Sequence, residues 1–179
     1  MSVAPPTVPM MSLRRVVILV ALAVAAGAFG ANTLRAARGS PSLSSPQLAR
    51  VVRVVDGDTI VASVGGREER VRYIGMDTPE DVKPGTAVQC YSLRAAAENR
   101  RLVAGRRVRL VPDAEARDRY GRLLAYVYRA GDGLFVNAEL VRLGYARPLT
   151  IPPNTAHEAQ IARLARAARR AGRGLWSRC

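Results

Sequence analysis

Between Arg50 and Ile74, β-branched residues crowd around two glycine-bearing breaks, and that pattern leaves few folds open. Val51, Val52, Val54, Val55, Ile60 and Val61 flank an Asp56-Gly57-Asp58 turn. Gly65-Gly66 marks a second turn, after which Arg70 to Ile74 resumes as a partner strand carrying Val71, Tyr73 and Ile74. Branched side chains suit a pleated backbone, while Asp-Gly and Gly-Gly steps accept the backbone angles of tight turns. The stretch therefore reads as short antiparallel strands joined by hairpins.

Downstream, the hydrophobic period lengthens and strands alternate with helices. Val88 to Val103 reads as a helix, with Leu93, Ala97 and Val103 available for a buried stripe. Arg107 to Val111 alternates as a strand, and Leu123 to Tyr128 is another, closed by the Gly131-Asp132-Gly133 turn. Val136 to Leu143 makes a short helix that Gly144 stops. A last helix is capped by Asn154 or Thr155 and runs to about Ala171, with Ile161, Leu164, Ala165 and Ala168 inward and Trp176 packing back on the core. About five short strands and three helices predict an α+β domain on a strongly curved sheet. A five-stranded OB-fold β-barrel with three packed α-helices fits that count, whereas an immunoglobulin-like sandwich has no place for the helices.

The 179 residues hold one such domain plus a leader. Arg14-Arg15 precedes 19 uncharged residues, Val16 to Leu34, with small residues around Ala26-Gly27-Ala28 and Ala28-Phe29-Gly30. A spanning helix needs about 20 residues. Residues 1–35 thus read as a signal peptide or as an uncleaved N-terminal membrane anchor, and both place the rest of the chain outside the cytoplasm, secreted or tethered. Residues 36–48 are a Ser/Pro-rich linker, and residues 49–179 are the folded domain. Cys90 and Cys179 are the only cysteines, too few for a zinc site. An even count in an exported chain suggests a disulfide, the alternative being two unpaired thiols.

Charge points to a polyanionic partner. Four of the 28 basic residues and none of the 14 acids lie in residues 1–49, so the remainder keeps 24 basic and 14 acidic residues, a net of +10. Nucleic acid is the first partner this suggests, and an anionic membrane surface the second. The acids are grouped. Asp56 and Asp58, two apart in extended backbone, share a face. Asp77-Thr78-Pro79-Glu80 follows the strand that runs back beside them, so a hairpin brings Asp77 near Asp58 in an oxygen-only site suited to Ca²⁺ or Mg²⁺. Thr78, before proline, is pushed toward an extended conformation that turns its carbonyl outward. Glu80 stands just past these groups, where a carboxylate can orient or deprotonate a water, or simply begin a helix. Arg72 alternates with Val71 and Tyr73 and so points away from the core, and Arg122 follows the Tyr120-Gly121 turn. Guanidinium groups there can grip two phosphate oxygens at once.

In their order and gaps, the segments VVRVVDGDTI, VRYIGMDTPE, DRYGRLLAYVY, FVNAELVRLGYA and NTAHEA…GLWS resemble the thermonuclease, or staphylococcal nuclease, family, across about residues 50–177. The resemblance implies an OB-fold barrel with three helices and a monomer that hydrolyses phosphodiester bonds of DNA and RNA endonucleolytically. It further implies Ca²⁺ dependence and 3′-phosphate products. Carried over position by position, Asp58, Asp77 and the Thr78 carbonyl bind Ca²⁺, with Asp56 behind them. Glu80 handles the attacking water, Arg72 and Arg122 bind the phosphate, and Arg119 with Tyr120 contact the nucleotide. The family's nucleoside-flanking tyrosines are replaced here by Arg147-Pro148-Leu149-Thr150-Ile151, and Ser92-Leu93-Arg94-Ala95 stands where the family enters its first helix with Gly-x-Glu-Ala. His157 reads as a surface or capping residue. The alternative function is a nucleic-acid-binding module of this kind that has lost catalysis, although every residue that catalysis requires is present.

Overall fold

A computed structural model describes Met1 and residues 43–80 and 87–179. The expected leader or anchor (1–35), the first part of the expected linker and residues 81–86 lie outside the described residues. Among the described residues no helix is long and apolar enough to cross a membrane.

The valine-rich segment folds as the turns dictate. β1 (Gln47–Val54), β2 (Thr59–Val64) and β3 (Arg67–Tyr73) form an antiparallel meander, with a bulge in β1 between Val51 and Arg53. β5 (Arg107–Val111) pairs antiparallel with both β1 and β6 (Leu123–Arg129), and β6 closes the circle by running parallel to β3. The result is a closed mixed barrel in the order β1-β2-β3-β6-β5. Closure removes free sheet edges, and the alternation of each strand sends one side chain in two to the interior. Ile60, Ala62, Val71, Tyr73, Val108, Leu110, Ala125 and Val127 fill it. This is the expected fold class.

Helices close the barrel's flank. α1 (Ser92–Val103) buries Ala95, Ala96, Leu102 and Val103, α2 (Val136–Arg142) buries Val136, Leu140 and Val141, and α3 (Glu158–Arg170) buries Ile161, Ala165 and Ala168. Asn137 ties α2 to the barrel: its Oδ1 accepts from Val127 N at 2.9 Å and its Nδ2 donates to Ile74 O at 2.9 Å.

The structure corrects the sequence reading at several edges. β1 begins at Gln47, two residues inside the expected linker, and Leu43 is buried in the core at 1% exposure. α1 begins at Ser92 rather than Val88, because Tyr91 before it adopts a left-handed backbone (φ 74°). α3 begins after His157, since the expected cap Asn154 instead clasps Glu115 through both its amide atoms (2.7 and 3.0 Å). Two short strands were not foreseen: β4 (Gly75–Asp77) pairs antiparallel with β7 (Arg147–Leu149). A single-turn α4 (Leu175–Arg178) ends the chain, and Trp176 sits half-buried between the guanidinium groups of Arg147 and Arg169. Cys179 is bonded to Cys90, closing a loop with a sequence separation of 89.

Candidate active site

The site grows from the turn between β1 and β2. Asp56 Oδ1 accepts from Asp58 N at 2.9 Å, which fixes the turn from within. Gly57 is required there: a Cβ would lie 2.7 Å from the Thr78 side chain, so only glycine lets the β4 end approach this closely. Thr78 uses that proximity, donating from N (2.9 Å) and Oγ1 (2.8 Å) to Asp58 Oδ2. Asp58 is 1% exposed. Its other oxygen accepts from Thr59 Oγ1 at 3.2 Å and from Arg72 Nη1. Arg72 leaves β3 on the side away from Val71 and Tyr73, as alternation requires, and its second terminal nitrogen donates to Asp77. One guanidinium therefore bridges Asp58 and the far more open Asp77.

Electrostatics at Asp58 are opposed. Burial is the dominant effect and pushes its carboxyl up to about 6; Asp56 adds to this, while Arg72 and the Thr78 donors pull the other way. Burial also works against the charge on Arg72, but Asp58 and Asp77 outweigh it and raise the Arg72 pKa. A buried carboxylate whose ionisation needs a cation is what an ion-binding site would present. The groups that could hold an ion here, Asp58, Asp77 and the Thr78 carbonyl with Asp56 behind, would all offer oxygen. That set fits Ca²⁺, which takes carboxylates, carbonyls and waters. Among the described residues no three His, Cys, Asp or Glu side chains form a metal cluster.

The second arginine is held differently. Asp118 anchors the turn ahead of β6, accepting from Tyr120 N (2.9 Å) and Arg122 N (3.0 Å) at Oδ1 and from Arg122 Nε (2.6 Å) at Oδ2. Nε is thereby fixed and the two terminal nitrogens of Arg122 are aimed by the ring geometry. Tyr120, 69% exposed, lies under both Arg119 (4.8 Å) and Arg122 (5.5 Å). Arg72, Arg119, Tyr120 and Arg122 line one cleft of about 470 Å³ together with Leu149 and Ile151. The β4–β7 pairing puts Arg147 opposite Asp77 and Leu149 opposite Gly75, so the stretch that lacks tyrosines still forms a wall of this cleft, in aliphatic side chains.

Glu80 stands where the β4 segment leaves the barrel. Its N donates to Gln89 Oε1 at 2.9 Å and its carbonyl accepts from Gln89 N at 2.9 Å, so Glu80 and Gln89 clasp each other. Sequence reasoning did not single out Gln89. It also missed Asn99, which accepts from the buried Tyr73 hydroxyl (3.0 Å) and donates to the Asp56 carbonyl (2.9 Å), tying α1 to the acidic turn. Asn99 lies within Glu98-Asn99-Arg100-Arg101, so nothing local in the sequence marked it. His157 lies outside the cleft lining, against Tyr126 and Phe135.

A closed five-stranded barrel with flanking helices, an arginine-bridged acid pair at the β1–β2 turn and an Asp-anchored arginine ahead of β6 define a nuclease-type architecture. The chain belongs to the staphylococcal nuclease homologue family, whose model matches residues 70–178. It is 44% identical over 128 residues to the thermonuclease of Staphylococcus intermedius, covering 72% of this chain and 75% of that one. It is 39% identical over 136 residues to the thermonuclease of Staphylococcus hyicus (76% and 79%). A third relative is the SPbeta prophage-derived endonuclease YokF of Bacillus subtilis, 40% identical over 128 residues, which span 70% of this chain and 43% of that protein.

Proposed function

We propose that this chain is an exported, Ca²⁺-dependent endonuclease that hydrolyses phosphodiester bonds of DNA and RNA and leaves 3′-phosphates. One observation carries the reading. Arg72, which bridges Asp58 and Asp77, lines a single cleft with Arg119, Tyr120 and Arg122, so guanidinium groups and an exposed ring meet where a nucleotide can lie, and the acid pair, outside the lining itself, adjoins that cleft through Arg72. Membership of a nuclease family supports it.

Asp58, Asp77 and the Thr78 carbonyl would hold Ca²⁺, and Asp56 would keep Asp58 in place. Bound there, the ion would supply Lewis-acid polarisation of a phosphoryl oxygen and offset growing negative charge. Every remaining role belongs to the protein. Glu80 takes a proton from a water as the water oxygen bonds to phosphorus in line with the leaving 5′-oxygen. The P–O5′ bond breaks, the 5′-oxygen takes a proton from solvent water, and the phosphate stays on the 3′ side. Arg72 and Arg122 donate to the equatorial oxygens, whose charge is greatest at the transition state. Arg72 is held toward this position by its donation to both Asp58 and Asp77. Arg119 and Tyr120 position the nucleotide. Export is supported by the Arg-flanked apolar run in residues 14–34 and by the Cys90–Cys179 bond, which suits an oxidising compartment.

The decisive experiment incubates plasmid and single-stranded DNA and RNA with Ca²⁺, Mg²⁺ or chelator, and end-labels the products. Ca²⁺-dependent cleavage with 3′-phosphate ends is expected. Binding without cleavage under any metal would favour the catalytically silent module.

A further inference from the structure

Several large apolar side chains are exposed in the described residues, and two groups of them have an evident setting. Tyr120, Leu149 and Ile151 line the cleft, and Val88 and Leu93 lie beside the disulfide. Leu48 (55% exposed) and Val52 (47%) do neither. They point outward from β1, alternating with Arg50, with Arg53 exposed just past the bulge. On β5, next to β1, the outward positions are Arg107 and Arg109, with Arg106 in the turn before it. This wall carries five arginines, two aliphatics and no acid.

Among the described residues, these arginines are not matched by acids. Arg50 stands directly opposite Arg107 across the β1–β5 ladder, an arrangement that costs stability because like charges face each other. Among the described residues, Arg50, Arg53, Arg106 and Arg107 have no ion-pair partner, and Arg109 lies over the Tyr128 ring at 4.7 Å. Beside them Leu48, Arg106, Arg107, Arg129, Gly131 and Asp132 line a depression of about 690 Å³, in which the one acid, Asp132, is already paired with Arg129. Such a wall asks for a partner that is anionic and at the same time has an apolar layer.

We propose that the β1–β5 wall docks on an anionic phospholipid surface, the arginines at the headgroup phosphates and Leu48 and Val52 at the acyl boundary. Two further observations favour lipid over nucleic acid. The aliphatics stand where a single-strand track would place stacking rings, and no exposed aromatic is interleaved with the β1 arginines. The outward positions of β1 and β5 are also separate from the cleft lining, none of which they supply: β1 pairs with β2 and β5, while the strands that contribute to the cleft are β3, β4, β6 and β7. Docking would therefore leave the cleft open to a long polymer. In the sequence, 13 residues lie between Leu34, the end of the apolar run, and Leu48, a reach of at most about 50 Å. The proposal does not rest on the nuclease reading.

The test uses the full chain with Val52→Cys carrying a polarity-sensitive dye, mixed with vesicles of phosphatidylglycerol and phosphatidylcholine or of phosphatidylcholine alone. A blue shift on the anionic vesicles only is expected, with slowed amide exchange in β1 and β5 of the unlabelled chain. The triple variant Arg50→Gln/Arg107→Gln/Arg109→Gln should weaken that response about a hundredfold, at about fivefold per arginine. Its unfolding midpoint should match or exceed the parent's, because the opposed pair is gone. No shift on anionic vesicles, equal shifts on both vesicle types, or a shift that duplex DNA produces and vesicles do not would each overturn the proposal.

Discussion

Arg72 donates to Asp58 from one terminal nitrogen, and Asp58 is a carboxylate almost wholly withdrawn from solvent. The pair makes Arg72 both a structural counter-ion and a phosphate ligand, and substitution separates the two. Arg72→Ala should slow cleavage about 10²–10³-fold and lower stability by roughly 3 kcal/mol by leaving a buried carboxylate unpaired. Arg72→Lys should recover much of the stability and little of the rate, because an ammonium cannot grip two oxygens at once. Single-turnover cleavage and urea unfolding in chelator measure both, and a Lys variant cleaving at the parent rate would refute the phosphate role.

The raised pKa of Asp58 gives a signed pH dependence. Its folded value of about 6 exceeds the ordinary 3.8, so between these the folded protein binds more protons than the unfolded chain. The stabilising contribution is complete below about 4 and is lost as pH rises through about 6. In chelator, the parent should lose stability relative to Asp58→Asn across this window, and Ca²⁺ should restore it. Ca²⁺ affinity should rise over the same interval, as the proton stops competing. Denaturation series at several pH values, with and without Ca²⁺, would show a flat difference if Asp58 does not titrate there.

Glu80→Gln keeps shape and removes the base. Cleavage should fall about 10²–10⁴-fold with nucleic-acid affinity within a few-fold of the parent. Gln89→Ala should lower kcat more than it raises KM, since Gln89 touches Glu80 and lies outside the cleft lining. A kinetic comparison of the two variants suffices; unchanged kcat in both would remove Glu80 from the mechanism.

Reduction of Cys90–Cys179 should cost about 4 kcal/mol by the loop-entropy relation for a closed loop of this length. The Cys90→Ala/Cys179→Ala variant should match the reduced parent in urea unfolding, and reductant should leave the variant unchanged.

The aliphatic wall of the cleft predicts weak base stacking. Ile151→Tyr should tighten binding of a nucleoside bisphosphate by about fivefold or more, the lower end of what one stacked base contributes. Isothermal titration with Ca²⁺ present would read it, and no gain would mean that residue 151 does not meet the base.

The barrel was legible because its strands are short, β-branched and punctuated by Asp-Gly and Gly-Gly, so period and turn chemistry agree. The acid and arginine set was legible by resemblance, and alternation along β3 already aimed Arg72 outward. What escaped were features made by distant pairing. β4 and β7 are three residues each, without a pattern of their own, and exist only because residues 75–77 and 147–149 meet. The cap expected at Asn154 failed because that side chain binds Glu115, 39 positions earlier, and no local rule reports such a partner. Gln89 and Asn99 are ordinary residues in sequence and gain meaning only from Glu80 and Asp56.

Leu43 sets a boundary on how short a working form of this protein can be. Its side chain fills the core although it precedes the first strand. Trimming past it would open a void worth about 2–5 kcal/mol, and the useful N-terminus of any shortened version lies on the near side of that residue.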